Sequence, residues 1–329
     1  MTQTLKSPSS TRRLLIAISR WFDNESTEPL NDEHNRQIDW PRSVPFILMH
    51  VAAVAVFWVG TSPVAVLIAI GLYALRMFAI TGFYHRYFSH KAFRTSRLVQ
   101  FFFAMVGASA VQRGPIWWSS HHRHHHVHAD EIDDAHSPVQ HGFFWSHVGW
   151  FLCRINFNAR SELVKDWLRY PELRFLDRFD TVVPALLAVS LYGLGVWLSI
   201  GRPDLGTNGP QMLVWGFVIS TLALYHATFT VNSLAHVWGQ RRYSTRDASR
   251  NNAVLAFFTL GEGWHNNHHH YPAAARQGFF WWEVDPTYYL LKLMETLGLV
   301  WELKGLPEGL RERRRTSIEN PEDHSSIEP

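Results

Sequence analysis

Residues 64–90 read VAVLIAIGLYALRMFAITGFYHRYFSH. Val64–Ile80 is apolar apart from Arg76 and long enough to cross a bilayer as a helix, which takes ~20 mostly apolar residues (range about 17–25). The stretch then runs directly into His85 and His90. Two further clusters, His122-Arg-His-His125-His126 and His265-Asn-Asn-His268-His269, are spaced H-x2-H-H and also follow apolar stretches. Imidazole is a good ligand for iron, copper and zinc, and eight such rings exceed the about six coordination positions of one ion. The pattern points to two metals.

Working outward, the apolar residues gather into four runs, Val44–Gly60, Val64–Ile80, Thr181–Ile200 and Gln211–Val231, while both ends of the chain are hydrophilic. Thr61-Ser62-Pro63 joins the first two runs and Gly201–Pro210 the last two, so the spans form two hairpins. The outer connections carry one Lys or Arg between them, Arg202, whereas Lys6, Arg12, Arg13, Arg20, Arg36 and Arg42 precede the first span. By the positive-inside rule both termini are expected in the cytoplasm. Leu14–Ile18 is too short for the core of a signal peptide, so no cleavage is expected. Arg97–Gln112 is apolar but short, and Arg113-Gly114-Pro115 ends it, which suits an interfacial or core helix.

An even number of crossings separates every pair of histidine clusters, so all of them fall on one face, expected to be cytoplasmic. The fold class that follows is an all-α integral membrane protein. Four transmembrane helices in two hairpins carry a cytoplasmic helical cap that holds a histidine-ligated dimetal site. The expected divisions are an N-terminal cytoplasmic segment (1–40), a membrane domain (41–301) and a polar, disordered C-terminal tail (302–329).

Residues three and four apart share a helix face. His122 with His125 and His126, His265 with His268 and His269, and Asn232 with His236 can each aim at one place. His236 is read as a ninth ligand, with Asn232 reaching the site directly or through water. His85 and His90 are five apart, roughly 140° around an α-helix. That pair either serves different metals or sits where the helix loosens.

Cys153 is the only cysteine, which excludes a disulfide framework and a thiolate site. The net charge is +3 and the basic residues are dispersed apart from Arg311–Arg315, so nucleic-acid binding has no footprint. Arg313-Arg314-Arg315 reads as a solvated tail.

With these motifs in place, the chain resembles the membrane fatty acyl desaturases, most closely the stearoyl-CoA (delta-9) type. The likeness covers about Trp40 to Trp301. It rests on Gly82–Phe93, Trp118–His126, the Gly142–Trp150 motif GFFWSHVGW, Val231–His236 and Gly261–His269. The wording around Gln112–Pro115 and Trp118–His122 is similar to bacterial members, which implies a bacterial inner membrane.

The resemblance implies two ferrous ions held by His85, His90, His122, His125, His126, His236, His265, His268 and His269, with Asn232 approaching one of them through water. It implies dioxygen as co-substrate and a cis double bond introduced into a long-chain acyl-CoA or another acyl carrier. Electrons come from a separate partner such as ferredoxin, rubredoxin or cytochrome b5 with its reductase. Asp134, His136 and Glu262 suit acceptors for imidazole N–H groups, whereas Asp130, Glu131 and Asp133 read equally well as solvated loop polarity. Trp150 matches a substrate-tunnel position, and Arg154 is placed to meet a coenzyme A phosphate. Trp117, Trp118 and Trp145 are candidate tunnel walls or packing residues. Phe229 stands where animal members place a tryptophan. His121, His124, His128 and His270 lie outside the matched positions. Two alternatives stay open: a membrane di-iron fatty acid or alkane hydroxylase, and a non-catalytic metal-binding membrane protein.

Overall fold

The computed structural model describes residues 18–26 and 37–312. The four spans are helices α1 (Trp40–Val59), α2 (Pro63–Ser89), α6 (Val182–Gly201) and α7 (Gly209–His236). Each boundary lies within a few residues of its expected place, except that α2 and α7 run on past the apolar stretch to carry histidines. The cap lies between and after the hairpins. Its longer helices are α3 (Arg97–Ala108), α4 (Pro115–His128), α5 (Pro171–Arg178), α8 (Ala253–Phe258), α9 (His265–His270) and α10 (Pro286–Thr296).

Local chemistry starts and stops these helices. The Asp39 carboxylate accepts from Arg42 N, and Pro41 occupies the first turn of α1, where its missing N–H costs nothing. Ser62 Oγ caps α2 through Ala65 N at 3.2 Å, after a turn that needs the positive φ of Gly60. Asn208 Oδ1 accepts from Gln211 N to open α7. A Cβ at Gly195 would come within 2.4 Å of Asn208 O, so only glycine lets α6 and the start of α7 pack this closely. The outer ends of the hairpins are joined by Gln211 Nε2 to Val59 O and Trp215 Nε1 to Gly60 O, both 3.0 Å.

The helices α2 and α7 form the inner pair, with α1 and α6 flanking them. Leu67, Ile70, Val189, Trp197 and Ile200 face outward and remain exposed, which suits lipid contact. Arg76, the single charge in the runs, is wholly buried. It donates to Thr221 Oγ1 (2.8 Å), Ser109 O (3.2 Å) and Leu72 O (3.1 Å), joining α2 to α7 and α3. An intramembrane charge is tolerated only with such partners.

From Ala79 to Ser89, α2 widens into a π-helix, and His90 N donates to His85 O at 3.2 Å. An i→i+5 bond places residues five apart one above the other. This resolves the His85–His90 spacing in favour of a loosened helix.

A two-residue ladder pairs β1 (Arg94–Thr95) with β2 (Val300–Trp301), and packing continues beyond the expected boundary at Trp301. Lys304 N donates to Ala92 O, Tyr243 Oη donates to Arg311 O, and Leu310 is buried. Residues 302–312, expected to belong to a disordered tail, are thus packed onto the cap. The remainder of that expected tail, including Arg313-Arg314-Arg315, lies outside the described residues.

Replacing Arg76 with methionine keeps the volume but strands Thr221 Oγ1 and the Ser109 carbonyl without a donor. A loss of about 1–3 kcal/mol per orphaned group is expected. It should appear as a lowered unfolding temperature of the detergent-solubilised protein.

Candidate metal centre

The nine candidate histidines converge in two groups. His85, His90, His122, His126 and His268 form one, and His125, His236, His265 and His269 the other. Helix α4 supplies both groups because His122 and His126 share a face while His125 points to the next. Helix α9 does the same with His268 on one side and His265 and His269 on the other.

Within the first group, Nε2 atoms approach one another at 3.0 Å (His85–His268), 2.8 Å (His90–His122), 3.0 Å (His122–His126) and 2.9 Å (His126–His268). In the second, His236 and His265 are 3.0 Å apart and His125 and His269 3.4 Å.

Carboxylates hold the opposite nitrogens. His125 Nδ1 donates to Asp134 (3.0 Å), His236 Nδ1 to Asp130 (2.8 Å), His269 Nδ1 to Asp247 (2.9 Å), and His85 Nδ1 contacts Glu262. An ionised carboxylate only accepts, so these four rings carry their proton on Nδ1 and turn a lone pair inward through Nε2. The facing Nε2 atoms of His125 and His269 are then two acceptors with no proton between them. A cation between them removes that conflict, and the donor set fits a metal bound to imidazole.

Burial sets the charge states. Desolvation holds His90, His122, His126, His265 and His268 well below the usual imidazole range, reinforced by their neighbours, and lowers His269 to about 4 despite Asp247. These six rings are therefore neutral and able to ligate, whereas His125, equally buried, is held above the usual imidazole range by Asp134. Burial alone would push the Asp134 and Asp247 carboxyls up, but the adjoining His125 and His269 hold both well below the carboxylate range. Asp130 is lowered to about 2 against the same burial by its hydrogen bond from His236.

A second layer fixes these partners. Asp134 also accepts from the backbone of Asp130 and His136, and Asp130 from Ser137 Oγ and Ala248 N. Glu262 is held by Arg86, which also bonds Asp285 and the Ala275 carbonyl, and by Gln277 Nε2 at 3.0 Å. Asn266 and Asn267, the two residues inside the third cluster, are wholly buried. Asn266 accepts from Arg242 N and Tyr243 N, and Asn267 donates to Gln277 O and Glu283. They anchor α9 by its polar face.

Several expectations change. Asp130 is a partner of His236 rather than solvated loop polarity, and Asp247 and Gln277, not singled out from the sequence, face ligand rings. No spacing rule marks Asp247, which lies in a loop far from the histidine it meets. His136 holds no ligand ring; it packs 4.4 Å from His125 and 4.9 Å from Trp150 between ring centroids. Arg154 is exposed and away from the centre, with its backbone N bonded to Gln37 O. Trp145 donates to Ala135 O. His121 Nε2 meets Asn158 O, His124 packs tilted against His128, and His270 stacks on Tyr243; all four stay outside the two groups.

A cavity of about 240 Å³ opens beside the first group. Its wall includes His122 and Asn232, the aromatic rings of Trp117, Trp118 and Trp150, and the phenylalanines Phe46, Phe151 and Phe229. Trp117 and Trp150 stack at 5.6 Å, and Trp118 lies over His122 at 5.1 Å. Arg20, Arg42, Arg113 and Asp180 also line it. Sequence reasoning missed these arginines because they lie outside the histidine motifs.

Two outcomes follow. Asp247→Asn should lower metal affinity about 10–100-fold, read as metal content by mass spectrometry after dialysis. In the metal-free protein the depressed imidazoles stay neutral while the unfolded chain gains protons below about pH 6.5, so stability falls as pH drops through that value. The unfolding temperature should be flat above neutrality and decline from pH 6.5 to 5, with bound metal raising it at every pH but leaving the onset of the decline at the value of the unfolded imidazoles.

Residues 61–294 match the fatty acid desaturase family. An acyl-CoA C20 delta-5 desaturase of Anemone leveillei is 37% identical over 251 residues, covering 75% of this chain and 76% of that protein. A chloroplastic palmitoyl-monogalactosyldiacylglycerol delta-7 desaturase of Arabidopsis thaliana is 38% identical, over 76% of this chain and 64% of its own length. An sn-2 palmitoyl-lipid 9-desaturase of Nostoc sp. (strain 36) is 34% identical over 275 residues, covering 82% of this chain and 92% of its own. With four membrane-spanning helices, a histidine-lined metal centre and these relatives, the chain belongs to the fatty acid desaturases, membrane oxidoreductases that act on fatty acyl chains.

Proposed function

We propose that this chain introduces a cis double bond, at the delta-9 position, into a saturated C16 or C18 acyl chain carried as a thioester of coenzyme A. The observation that carries the reading is the cavity, which joins His122 and Asn232 to a set of arginines through an aromatic wall. An acyl tail suits the aromatic part. Arg42 Nε and Nη2 and Arg20 Nε are buried without a hydrogen-bond partner among the described residues, while Asp180 pairs with Arg113 at 2.7 Å. An anionic carrier suits those unpaired guanidinium nitrogens.

Unactivated methylenes have no acidic proton, so side-chain acid–base chemistry cannot remove their hydrogens. The five-histidine and four-histidine groups, with Asn232 nearby, would hold two ferrous ions, which would supply the oxidising chemistry with dioxygen. The balance is one CH2–CH2 unit, one dioxygen, two electrons and two protons giving CH=CH and two waters. A separate one-electron carrier such as ferredoxin, rubredoxin or cytochrome b5, with its reductase, provides the electrons at the cytoplasmic face. The protein's own residues would hold the tail against the aromatic wall, keep water from the reacting carbons and turn imidazole lone pairs toward the metals.

A second reading of the carrier, a membrane glycerolipid, is favoured by the relatives named for lipid substrates. Expression in a host lacking its own desaturase, followed by mass spectrometry of its lipids and thioesters, tests both carriers. A product two mass units lighter with a mid-chain cis bond is expected, and His268→Ala should abolish it. A product sixteen units heavier would overturn desaturation in favour of hydroxylation. Metal uptake with no dioxygen consumption in the presence of acyl substrate and reductant would overturn catalysis altogether. Arg42→Ala should raise KM for acyl-CoA about tenfold, the loss of ~1.4 kcal/mol of carrier binding.

A further inference from the structure

A second row of histidines lies apart from the metal centre, on the bilayer side of the molecule. His50 on α1, His226 on α7 and His147 in the Trp145–Gly149 turn are linked end to end. His50 Nε2 is 3.2 Å from His226 Nε2, His226 Nδ1 is 3.1 Å from His147 Nε2, and His147 Nδ1 is 2.9 Å from Ser233 Oγ. His50 Nδ1 meets Phe46 O at 2.8 Å.

The carbonyl only accepts, so His50 carries its proton on Nδ1. His226 then donates through Nε2 and His147 through its own Nε2, and Ser233 donates to His147. One set of tautomers satisfies every ring-to-ring link when Ser233 turns its single hydroxyl proton to His147 and away from the Phe229 carbonyl, which lies at the same 2.9 Å. All the ring nitrogens are engaged, and His226 uses both of its own, which makes the row a fastening rather than a metal chelate.

Its position gives the fastening a purpose. Among the described residues, the hydrogen bonds between α1 and α7 are Gln211 Nε2 to Val59 O at the outer end and His50 to His226 in the middle. Behind the row stand Phe46, 4.5 Å from His50 between ring centroids, and Phe229, 5.7 Å from His147 and 6.0 Å from His226. Phe151 closes the gap, 5.4 Å from Phe46 and 4.9 Å from Phe229. These three rings are also the wall of the acyl cavity. A single aromatic layer, these phenylalanines with Tyr225 stacked on Phe46 and Phe229, therefore separates the cavity from the histidine row, of which His226 is exposed.

We propose that the seam between α1 and α7 is a side door through which an acyl tail passes between the bilayer and the cavity, with the histidine row as its latch. The proposal rests on the acyl-binding reading of the cavity given above. Each link is a hydrogen bond between neutral groups, individually weak, and the wall behind it is side chain rather than backbone. Arg42 lies on the same helix as His50, two turns nearer the cap. The arginines and the seam thus form one continuous slot, in which an anionic headgroup rests at the cap while its tail slips in sideways. A tail already in the bilayer then never crosses water and need not thread end-first.

The test is passage of a pyrene-labelled long-chain acyl-CoA, partitioned into nanodiscs by its tail, into the protein, followed by energy transfer from tryptophan in a stopped-flow instrument; it requires no turnover. In a His50→Cys/His226→Cys protein bridged by a short bis-methanethiosulfonate linker, entry of the probe should slow at least about tenfold and recover when reductant removes the linker. His226→Leu, which breaks the row without adding a polar group, should speed it severalfold. Equal rates with and without the bridge would overturn the door and route the tail past the arginines. A probe that enters no form of the protein would overturn the acyl-binding reading and the door with it. Normal gating without any desaturated product would leave the door standing and overturn the reaction alone.

Discussion

The centre depends on one constraint: a buried imidazole must stay neutral and must give its remaining N–H to an acceptor. Four carboxylates meet that need at His85, His125, His236 and His269, and in doing so they choose which nitrogen looks inward. Without them the rings are free to take either tautomer, and the inward lone pairs are lost. The acids in turn require burial with partners, which explains the dense bonding of Asp130, Asp134 and Glu262 to serine, arginine, glutamine and backbone N–H groups. Much of the cap exists to keep these acids ionised in a dry place.

Architecture serves the same end. A regular α-helix from Pro63 to Ser89 turns His85 and His90 away from each other, and the π segment turns them back to one group. Arg86, between them, reaches Glu262, Asp285 and the Ala275 carbonyl, so the helix bearing two ligands is tied to the loops before and after α9. Asp285 also caps α10 through Tyr288 N, which links that helix to the same network. Membrane span, ligand helix and cap share a few buried polar junctions.

The spans, the pairing into hairpins and the convergence of the clusters were legible in the sequence, because hydrophobic length and histidine spacing are local properties. The meeting of His236 with the second group was legible too, since His236 lies four residues along the chain from Asn232 where the last span ends. Asp247 and Gln277 were not, because their roles arise from loops that return to the centre from elsewhere in the chain. Asp130 carried no mark to separate it from Glu131 and Asp133 until the backbone turned it, at φ +60°, toward His236. Arg154 was chosen for its place beside a motif, yet the cavity takes its guanidinium groups from Arg20, Arg42 and Arg113, which only the folded chain brings together.

The sharing of α4 and α9 between the two histidine groups has a consequence for biosynthesis. His268 belongs to one group and His265 and His269 to the other, so neither group is complete until the ribosome has passed the last of them. Domains that fold during synthesis do so from the N-terminus at about 5–20 residues per second. Both hairpins are therefore inserted before either coordination sphere closes. Metal loading becomes a late checkpoint on a finished chain, and a stalled or truncated product carries only fragments of a binding site.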